Sequence, residues 1–515
     1  MRTVAPSESA DCLLGIDVGS SSVKACLVDT DTRHRLGRSQ SPAGEMAIDS
    51  PRPGFAEQDP EDWWHHVCCA VQHLLQEAAI DPARVRAIGI SYQMHGLVLI
   101  DEDRAVLRPA IIWCDGRALT SGQALLENAG AERCAEHLLN APGNFTAAKL
   151  AWVREHEPEV FGRARAMQLP GDWLAMRMTG RVTTTAPGLS EGMLWDFPAD
   201  RPAEFLLAAA GIDVGLLPEV VPTFSDQGSL NAAAAEALGL RPGTPVTYRA
   251  GDQPNNAFSL QVLDPGQVAA TAGTSGVVYG VTARAAYDAE QRVNTFAHVT
   301  HAPGTDRFGT LLCVNGAGAL NAWLRREVAR PDVDYEAMNA AAAEVPAGSD
   351  GLTVLPFGNG PERMLGNRDI GAHVVGIQLH RHGRAHLWRA AQEGIACALA
   401  HGMAILGELG LDLRRIRAGH SNMFLSPVFR EALAGLTGTV IELYDTDGAQ
   451  GAALAAGVGV GIYPTPAEAF VGSEPLRTVE PDADRQAAYA HASERWQEAL
   501  RAAPANDAGS DRRLG

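Results

Sequence analysis

Two similar hairpin patterns, one in each half of the chain, restrict the folds that this sequence can adopt. Apolar residues alternate along 13–18 and 23–29, and Gly19-Ser-Ser-Ser22 separates the two runs. The same order of strand, polar glycine turn and strand returns at 267–281, with Gly273-Thr-Ser-Gly276 as the turn. Such turns close ordinary hairpins, but their backbone N–H groups and hydroxyls can also bind phosphate oxygens. The repeat predicts two related domains, each presenting a polar turn at the end of a strand hairpin.

The length of the chain also favours two domains, because 515 residues exceed what one hydrophobic core normally organises. We divide it into residues 1–248, residues 249–475, and a C-terminal helix with a polar tail at 476–515. The net charge of −19 argues against a nucleic-acid partner. No apolar run is long enough to span a membrane, and the first eleven residues lack an apolar signal segment. The eight cysteines are scattered without metal-ligand spacing, which favours a reduced, cytoplasmic enzyme.

One carboxylate near the midpoint of the chain is the first candidate for catalysis. Asp252 lies in Arg249-Ala-Gly-Asp-Gln-Pro-Asn-Asn-Ala-Phe258, after the predicted strand 246–249 and just ahead of Pro254. A carboxylate can take the proton of an attacking hydroxyl. The same residue can instead cap the helix that Pro254 starts, and the two roles are compatible.

Helix and strand signals place further polar residues at strand ends. Asp59 and Pro60 predict a helix over 60–77, and the apolar run 85–91 predicts a buried strand that leads to Gln93-Met-His-Gly96. Open α/β sheets bind ligands at such strand ends. A strand is predicted from Arg108, and 166–230 is mostly irregular with short helices. Further helices are predicted at 121–139, 145–154, 318–329, 335–344, 386–409 and 427–436, from Gly448 onwards, and after Pro475.

Taken in order, these pieces resemble the FGGY carbohydrate kinases from Gly15 to about Ala456. The matching motifs are Gly15-Ile-Asp-Val-Gly-Ser-Ser, Glu57-Gln-Asp-Pro-Glu-Asp-Trp-Trp, Gln93-Met-His-Gly, Arg108-Pro-Ala-Ile-Ile-Trp-Cys-Asp-Gly-Arg, Phe145-Thr-Ala-Ala-Lys-Leu, Gly251-Asp-Gln, Gly273-Thr-Ser-Gly and Glu393-Gly. Each motif is short, and their common order makes the set specific. The resemblance implies an α/β, ribonuclease H-like fold of the sugar-kinase, hexokinase and actin type, with two domains around a cleft. It also implies transfer of the γ-phosphoryl group of ATP to a sugar hydroxyl.

The resemblance further implies a role for each matching residue. Asp252 is expected to be the general base, and Asp17 is expected to face the phosphates and Mg²⁺, which usually binds one or two carboxylates and keeps its remaining waters. The residues expected to contact the sugar are Met94, His95, Asp252 and Gln253. The residues expected to contact ATP are Asp17, Ser20, Ser21, Gly273, Thr274 and Ser275 at the phosphates, and Gly419 and Asn422 at the adenosine.

Within the family, Gln93-Met-His-Gly96 points to kinases of D-xylulose, so D-xylulose 5-phosphate is the expected product. Those kinases usually have Asn where this chain has Gln253, as glycerol kinases do. Ribulose, glycerol or another polyol are therefore alternatives, and Asn255 or Asn256 is a candidate to take over the sugar contact. A sugar sensor without catalysis and an actin-like ATPase are more distant alternatives. Ala418-Gly-His420 stands where family members often have three glycines. Homodimers are common in the family, although no motif here indicates one.

Three further groups each admit two interpretations. Lys24 either reaches a phosphate or is a solvated residue at a strand edge. Three residues near the predicted strand from Arg108 either shape the sugar pocket or form a buried tryptophan beside an ion pair: Trp113, Asp115 and Arg117. Three histidines lie among arginines without an acidic partner, and we interpret them as a basic surface turn rather than a metal site: His380, His382 and His386.

Overall fold

The structure is a computed structural model and describes residues 11–504. Its strands, in chain order, are β1 Cys12–Val18, β2 Val23–Asp29, β3 Arg35–Ser41, β4 Glu57–Gln58, β5 Val85–Tyr92, β6 Val98–Ile100, β7 Ala110–Ile111, β8 Ala166–Gln168, β9 Thr183–Thr184, β10 Trp195–Asp196, β11 Arg201–Pro202, β12 Glu219–Val220, β13 Val246–Gly251, β14 Val268–Ala272, β15 Gly276–Thr282, β16 Asn294–Ala297, β17 Phe308–Val314, β18 Thr353–Phe357, β19 Gly371–Val375, β20 Arg415–Gly419, β21 Val440–Tyr444 and β22 Arg477–Val479.

The α-helices, in chain order, are α1 Pro60–Glu77, α2 Leu119–Ala129, α3 Ala131–Leu138, α4 Thr146–His156, α5 Pro158–Arg163, α6 Pro170–Thr179, α7 Ala186–Glu191, α8 Glu204–Ala209, α9 Ala232–Leu238, α10 Asp252–Ser259, α11 Ala317–Trp323, α12 Tyr335–Ala343, α13 Arg384–Glu408, α14 Pro427–Thr437, α15 Gly448–Gly459 and α16 Ala483–Ala502.

Five strands form the first sheet, in the order β13-β5-β1-β2-β3. β1 and β2 form the antiparallel hairpin that the sequence predicts, and β5 is parallel to both β1 and β13. α1 buries Trp63 and Val67 in the apolar cluster on this sheet. Because β13 belongs here, the domain boundary that we place after residue 248 falls inside a strand. Parallel strands put their carboxyl ends at one edge, so the ends of β1, β5 and β13 lie side by side.

Seven strands form the second sheet, in the order β16-β17-β15-β14-β20-β21-β22. β14 and β15 form the second predicted hairpin, whose pairing runs from Val268 with Gly280 to Ala272 with Gly276. β20 is parallel to both β14 and β21. α13 and α14 pack on this sheet in one apolar cluster. The repeat in the sequence therefore corresponds to a similar hairpin within each sheet.

Helix α15 comes from the second half of the sequence but packs on the first sheet. Glycines permit the close approach of helix and strands. A β-carbon on Gly15 would overlap the carbonyl oxygen of Ala449, and one on Gly89 would overlap that of Ala452. α10, which follows β13, packs against the same helix. The first turn of α15 is therefore held beside the carboxyl ends of β1 and β13.

Some predicted elements differ from the structure in detail. The helix predicted at 121–139 is two helices, α2 and α3, because Gly130 between them has a φ of +90° that interrupts the helix. The strand predicted from Arg108 is reduced to β7. The segment 166–230 holds the short helices α6, α7 and α8 together with five short strands.

The helix predicted after Pro475 is α16, which buries Tyr489 and Trp496 in the cluster of the second sheet. The predicted polar tail includes residues 505–515, which lie outside the described part of the chain. The cysteines that the sequence contains all lie within residues 11–504 and are free thiols. Across that same range, no helix is both long enough and apolar enough to span a membrane.

Candidate active site

The carboxyl ends of β1, β5 and β13 bring two of the predicted acidic residues together. Asp17, near the end of β1, accepts a hydrogen bond from the Ser91 hydroxyl at 2.7 Å. Asp252 is the first residue of α10 and directly follows β13. Ser91 on β5 is in register with Asp17 on one side and with Ala250 on the other. The register of three adjacent strands therefore fixes both carboxyl groups at one edge of the sheet.

The carboxyl group of Asp252 is a weaker acid than that of an ordinary aspartate. Burial raises its pKa, and the nearby charge of Asp17 raises it further, to about 7. Hydrogen bonds from the backbone and side chain of Gln253 oppose this rise, because they favour the charged form. Gly251 is the N-cap of α10, so Asp252 is not the helix cap of the alternative interpretation. A carboxylate with a pKa near neutrality is well suited to accept a proton from a hydroxyl.

Asp17 lies where the first sheet meets the start of α15. Burial raises the pKa of its carboxyl group, the charge of exposed Lys24 lowers it, and the charge of Asp447 raises it. A β-carbon on Gly448 would stand 2.7 Å from Asp17 Oδ2 and 3.2 Å from Asn256 Oδ1. Glycine therefore lets α15 approach Asp17, and side-chain oxygens gather at the positive end of the helix dipole.

His95 lies in a turn after β5 with a φ of +63°, a left-handed conformation that is uncommon outside glycine. Its Nδ1 lies 2.8 Å from the backbone carbonyl oxygen of Glu191. Since a carbonyl oxygen only accepts hydrogen bonds, we assign the ring proton to Nδ1. Burial, and then the nearby charge of Lys149, lower the pKa of the imidazole to about 3. The ring is therefore neutral, and Nε2 is left as an acceptor for a hydroxyl.

Aromatic rings and two cations surround His95. The ring centroid of Phe145 lies 4.7 Å from that of His95, and the centroid of Phe296 lies 5.5 Å away. Lys149 Nζ donates a hydrogen bond to the His95 carbonyl oxygen at 2.7 Å, which supports the turn. Arg363, from the second half of the chain, has its guanidinium carbon 6.0 Å from the Phe145 ring centroid. His95 therefore packs against aromatic rings, and a cation from the other half of the molecule lies near one of them.

Glu191, the last residue of α7, is a residue of this region that the sequence analysis missed. It is 1% exposed. A β-carbon on Gly251 would overlap Glu191 Oε2 and would stand 2.6 Å from Met94 Cγ. Burial, and then the charges of Asp252 and Asp172, raise the pKa of the Glu191 carboxyl well above its usual value. Its segment carries no strong periodic pattern, so the sequence contains no signal that places it here.

A cavity of about 820 Å³ opens beside the second polar turn. Residues predicted to contact ATP line it together with the histidine that replaces a glycine: Gly273, Thr274, Asn422 and His420. Two further predicted residues adjoin these in the chain without lining the cavity: Ser275 and Gly419. A β-carbon on Gly318 would overlap the Gly273 carbonyl oxygen, so α11 packs directly against the turn. The cavity has the size of a small-molecule site, which is typically about 300–1,000 Å³.

One face of α12 forms another wall of this cavity. Tyr335 and Asn339, one helical turn apart, both line it. Ser426 Oγ donates a hydrogen bond to Gln392 Oε1 at 2.5 Å, and Gln392 Nε2 donates one to Asn339 Oδ1 at 2.9 Å. This chain of hydrogen bonds orients the Asn339 amide. Because Asn339 Oδ1 already accepts a hydrogen bond from Gln392, the Asn339 Nδ2 group is the donor that remains for a ligand.

The first polar turn packs against Gln58 and Trp113. Gln58 Nε2 donates a hydrogen bond to the Ser20 carbonyl oxygen at 2.8 Å, and Trp113 Nε1 donates one to Ser20 Oγ at 3.3 Å. The Ser21 carbonyl oxygen accepts a hydrogen bond from the Met46 N–H group at 2.7 Å. Trp113 is 53% exposed, so the interpretation of a buried tryptophan is wrong. The tryptophan instead adjoins the turn that is predicted to bind phosphate.

Asp115 and Arg117 form the buried ion pair of the structural interpretation, with Arg117 Nη2 2.7 Å from Asp115 Oδ2.

Asn255 also has a structural role. Its Oδ1 accepts a hydrogen bond from the Tyr248 hydroxyl at 3.1 Å, and its Nδ2 donates one to the Gly448 carbonyl oxygen at 2.8 Å. These bonds tie α10 to α15 and occupy the amide, which leaves Asn255 poorly placed to take over a sugar contact.

One histidine of segment 380–386, His386, does have an acidic partner, contrary to the sequence analysis. Asp350 Oδ1 accepts a hydrogen bond from Arg381 Nη2 at 2.7 Å, and Asp350 Oδ2 lies 3.3 Å from His386 Nε2. His382 Nε2 lies 3.3 Å from the Asp350 backbone oxygen. Within residues 11–504, no three or more His, Cys, Asp or Glu side chains are arranged to hold a metal ion.

Two domains with similar hairpins, and a carboxylate at the sheet edge, define a kinase-type fold of the sugar-kinase, hexokinase and actin class. Residues 12–259 match the model of the FGGY family of carbohydrate kinases, N-terminal domain, and residues 268–460 match the model of its C-terminal domain. The chain belongs to the FGGY family of carbohydrate kinases. The predictions of the fold class and of a carbohydrate kinase are therefore confirmed.

Individual proteins are similar over most of their length. The xylulose kinase of Escherichia coli K12 is 30% identical over 483 residues, which cover 92% of this chain and 96% of that protein. The xylulose kinase of Klebsiella pneumoniae is 30% identical over 447 residues, which cover 86% of this chain and 88% of that protein. The crystal structure of xylulose kinase from Rhodospirillum rubrum superposes with a TM-score of 0.83 at 27% identity, and the match covers 95% of this chain and 98% of that chain.

Proposed function

We propose that this carbohydrate kinase phosphorylates the ketopentose D-xylulose at O5, with ATP as the phosphoryl donor. The relatives named xylulose kinase support this substrate, and so does the motif Gln93-Met-His-Gly96. The observation that carries the proposal is the Asp252 carboxyl group, whose pKa is about 7, beside Asp17 at the carboxyl edge of the first sheet. A base of this strength suits the removal of a proton from an alcohol near neutral pH.

In the proposed reaction, Asp252 accepts the proton of the sugar hydroxyl as its oxygen attacks the γ-phosphorus of ATP. The new bond joins that oxygen to phosphorus, and the bond that breaks joins phosphorus to the ADP oxygen. Neutral His95 accepts a hydrogen bond from a second sugar hydroxyl through Nε2. Met94 and Gln253 contact the sugar beside it. Arg363, which comes from the second half of the chain, helps exclude water that would otherwise take the phosphoryl group.

We assign ATP to the cavity beside the second polar turn and to the space between the two turns. In this arrangement the base lies between α12 and the segment 420–427, where Tyr335 provides a ring and Asn339 a donor. The phosphates contact five residues of the two turns: Ser20, Ser21, Gly273, Thr274 and Ser275. The adenosine is bordered by Gly419 and Asn422. His420 adds an imidazole to this border.

The surroundings of Asp17 fit a magnesium ion that keeps most of its waters. The Asp17 carboxyl group adjoins Asn256 and is close enough to Asp447 for that charge to raise its pKa. Hard oxygen ligands of this kind are those that Mg²⁺ prefers. When bound there, the ion would neutralise charge on the phosphate oxygens.

Release of ADP in the presence of different acceptors tests the proposal. The acceptors are D-xylulose, L-xylulose, D-ribulose, L-ribulose, D-fructose, glycerol and none. We expect kcat/KM for D-xylulose to exceed that for each other acceptor by about tenfold or more, as one or two lost polar contacts would produce. Asp252→Asn is expected to lower kcat by several powers of ten with little change in sugar affinity. Turnover of ATP that ignores every acceptor would refute the proposal.

The second candidate is a kinase of another ketose or polyol, such as ribulose or glycerol, and Gln253 favours it. This residue follows the proposed base directly and hydrogen-bonds to it, so its identity acts at the reacting hydroxyl. A preference for ribulose or glycerol in the same measurement would establish this candidate and leave the mechanism unchanged. A protein that binds a sugar and releases no ADP would instead be a sensor.

A further inference from the structure

One carboxyl oxygen of Glu191 has no well-directed hydrogen bond although it lies among the residues assigned to the sugar. Oε1 is buried, and none of the described residues forms a well-aligned hydrogen bond with it. Leaving a buried polar atom unpaired costs stability, and in native proteins such an atom calls for an explanation. A ligand that forms the missing hydrogen bond is one explanation.

The neighbours of Glu191 are the residues assigned to the sugar. Its carboxyl group packs against Gly251, and the side chain of Met94 packs against the same glycine. Its backbone carbonyl oxygen accepts the hydrogen bond from His95. Asp252 follows Gly251 in the chain, and its charge acts on the Glu191 carboxyl group. Glu191 therefore lies among three residues assigned to the sugar, namely Met94, His95 and Asp252.

Helix α7 is fixed from both halves of the molecule, so the position of Glu191 does not depend on a loop. The helix packs against β13 of the first sheet and against β16 of the second. The hydroxyl of Ser190 accepts a hydrogen bond from the Ala297 N–H group at 3.0 Å. A side chain held in this way is suited to select a ligand by shape and hydrogen bonding.

No cation of the described residues forms an ion pair with Glu191. The nearby guanidinium of Arg249 pairs with Asp172 at 2.8 Å. The ammonium group of Lys149 donates to two backbone carbonyl oxygens. Asp252 and Asp172 present charges of the same sign, and the Tyr92 hydroxyl acts on the Glu191 carboxyl group as a hydrogen-bonding group that lowers its pKa. The Tyr92 hydroxyl does not form a well-directed bond with Oε1. Buried carboxyl groups this close are not all charged at once. Asp172 has a cation as partner, whereas no ion pair within the described residues involves Glu191 or Asp252. Because the proposed reaction needs a charged Asp252, Glu191 is the group expected to be neutral.

We propose that Glu191 binds the ketopentose as a neutral carboxylic acid, by exchanging a hydrogen bond with a hydroxyl near the one that Asp252 deprotonates. This inference rests on the proposed function. A neutral acid can donate through its O–H group and accept through its C=O group, so a single sugar hydroxyl satisfies the unpaired oxygen. It also adds no second negative charge beside Asp252. Sugars that lack a hydroxyl at this position would lose that contact and bind more weakly.

Two variants at this position, combined with deoxy sugars, test the inference. Glu191→Gln keeps the size, the neutrality and both hydrogen-bonding functions, whereas Glu191→Ala removes all of them. With D-xylulose, KM for the Gln variant should stay within about threefold of the wild-type value, and KM for the Ala variant should rise about tenfold. The variants are then compared on 1-deoxy, 3-deoxy and 4-deoxy D-xylulose.

The deoxy sugars separate a direct contact from a structural role. For one of these analogues, KM in the wild type should be about tenfold higher than KM for D-xylulose. This difference should disappear in Glu191→Ala, because the two changes remove the same hydrogen bond. For the other analogues, KM should rise by the same factor in both proteins. KM for ATP should be unchanged throughout.

A matched control is Glu393→Gln, on α13. The Glu393 carboxylate is also buried, and it accepts hydrogen bonds from Ser349 Oγ at 2.8 Å and from the Gly348 N–H group at 3.0 Å. This variant should lower thermal stability without changing KM for the sugar. The Glu393 carboxylate is also paired with Arg389 Nε at 2.8 Å, so the variant shows what the loss of a buried, paired carboxylate away from the sugar does.

Several outcomes would overturn the inference. A Gln variant as damaged as the Ala variant would mean that the charged form is needed. If the rise in KM for every analogue were the same in the wild type and in the Ala variant, Glu191 would be a purely structural residue. Failure of the proposed function is seen separately, because the wild-type protein would then not phosphorylate D-xylulose. In that case the wild type and the Ala variant are compared on deoxy forms of the best acceptor. If the protein binds no sugar at all, both proposals are overturned.

Discussion

Replacing Asp252 by Asn is expected to remove catalysis and, at the same time, to stabilise the fold above neutral pH. Folding raises the pKa of this carboxyl group from 3.8 to about 7. Between these two values the native state therefore binds a proton more tightly than the unfolded chain does. The carboxyl group costs no stability at low pH, costs progressively more as the pH rises, and reaches its full cost above the folded-state pKa.

The magnitude follows from the size of this pKa difference. About 3 units at roughly 1.4 kcal/mol per unit give a ceiling of about 4 kcal/mol. Part of the rise comes from Asp17, and the group is not entirely shielded from water, so we expect about 2–3 kcal/mol at pH 8. Asn has nearly the same shape as Asp and carries no charge, so the difference between the two proteins isolates this effect.

Urea unfolding of both proteins at several pH values measures the difference. Mg²⁺ and ATP are left out, because ligands that bind the native state would add their own stabilisation. The variant should be more stable by about 1 kcal/mol at pH 5 and by about 2–3 kcal/mol at pH 8. A difference that does not depend on pH, or a variant that is less stable at pH 8, would refute the reasoning. Normal turnover of the variant would refute the assignment of the base.

Three further outcomes are expected. Gln253→Leu removes a hydrogen bond to charged Asp252, so the acid limb of the kcat–pH profile should move up by roughly one unit, and an unmoved limb would contradict this. Asn339→Leu should raise KM for ATP about tenfold and leave KM for the sugar unchanged, as measured by varying each substrate in turn. Gly15→Ala presses a β-carbon into the backbone of α15 and should lower the free energy of unfolding by about 3 kcal/mol. Gly44→Ala, with open space around it, is its control and should leave Tm unchanged.

Much of the fold was predictable because local patterns and family motifs agree. Alternating apolar residues around each polar turn predicted both hairpins, and the buried run 85–91 predicted β5. Since β1, β5 and β13 are adjacent and end at one edge, the structure brings Asp17, His95 and Asp252 into one region. The roles assigned to these residues stay predictions until they are tested.

What the sequence could not predict depends on contacts between distant segments. Glu191 belongs to a short helix whose position is fixed by β13 on one side and β16 on the other, and no local pattern encodes that arrangement. The exposure of Trp113 depends on which distant segments pack against the first polar turn, at residues 19–22. The partner of His386 was missed because Asp350 precedes it by a long stretch of chain and approaches only through folding.

The packing of α15 on the first sheet also affects how the chain folds during synthesis. The strands β1, β5 and β13 leave the ribosome early, but residues 252–447 must be made before the helix that covers them. At about 5–20 residues per second, this takes on the order of ten to forty seconds. During that time the nascent protein exposes apolar residues that α15 later buries, including Leu13, Ala87 and Tyr248. We therefore expect the N-terminal half, expressed alone, to need chaperones or to aggregate.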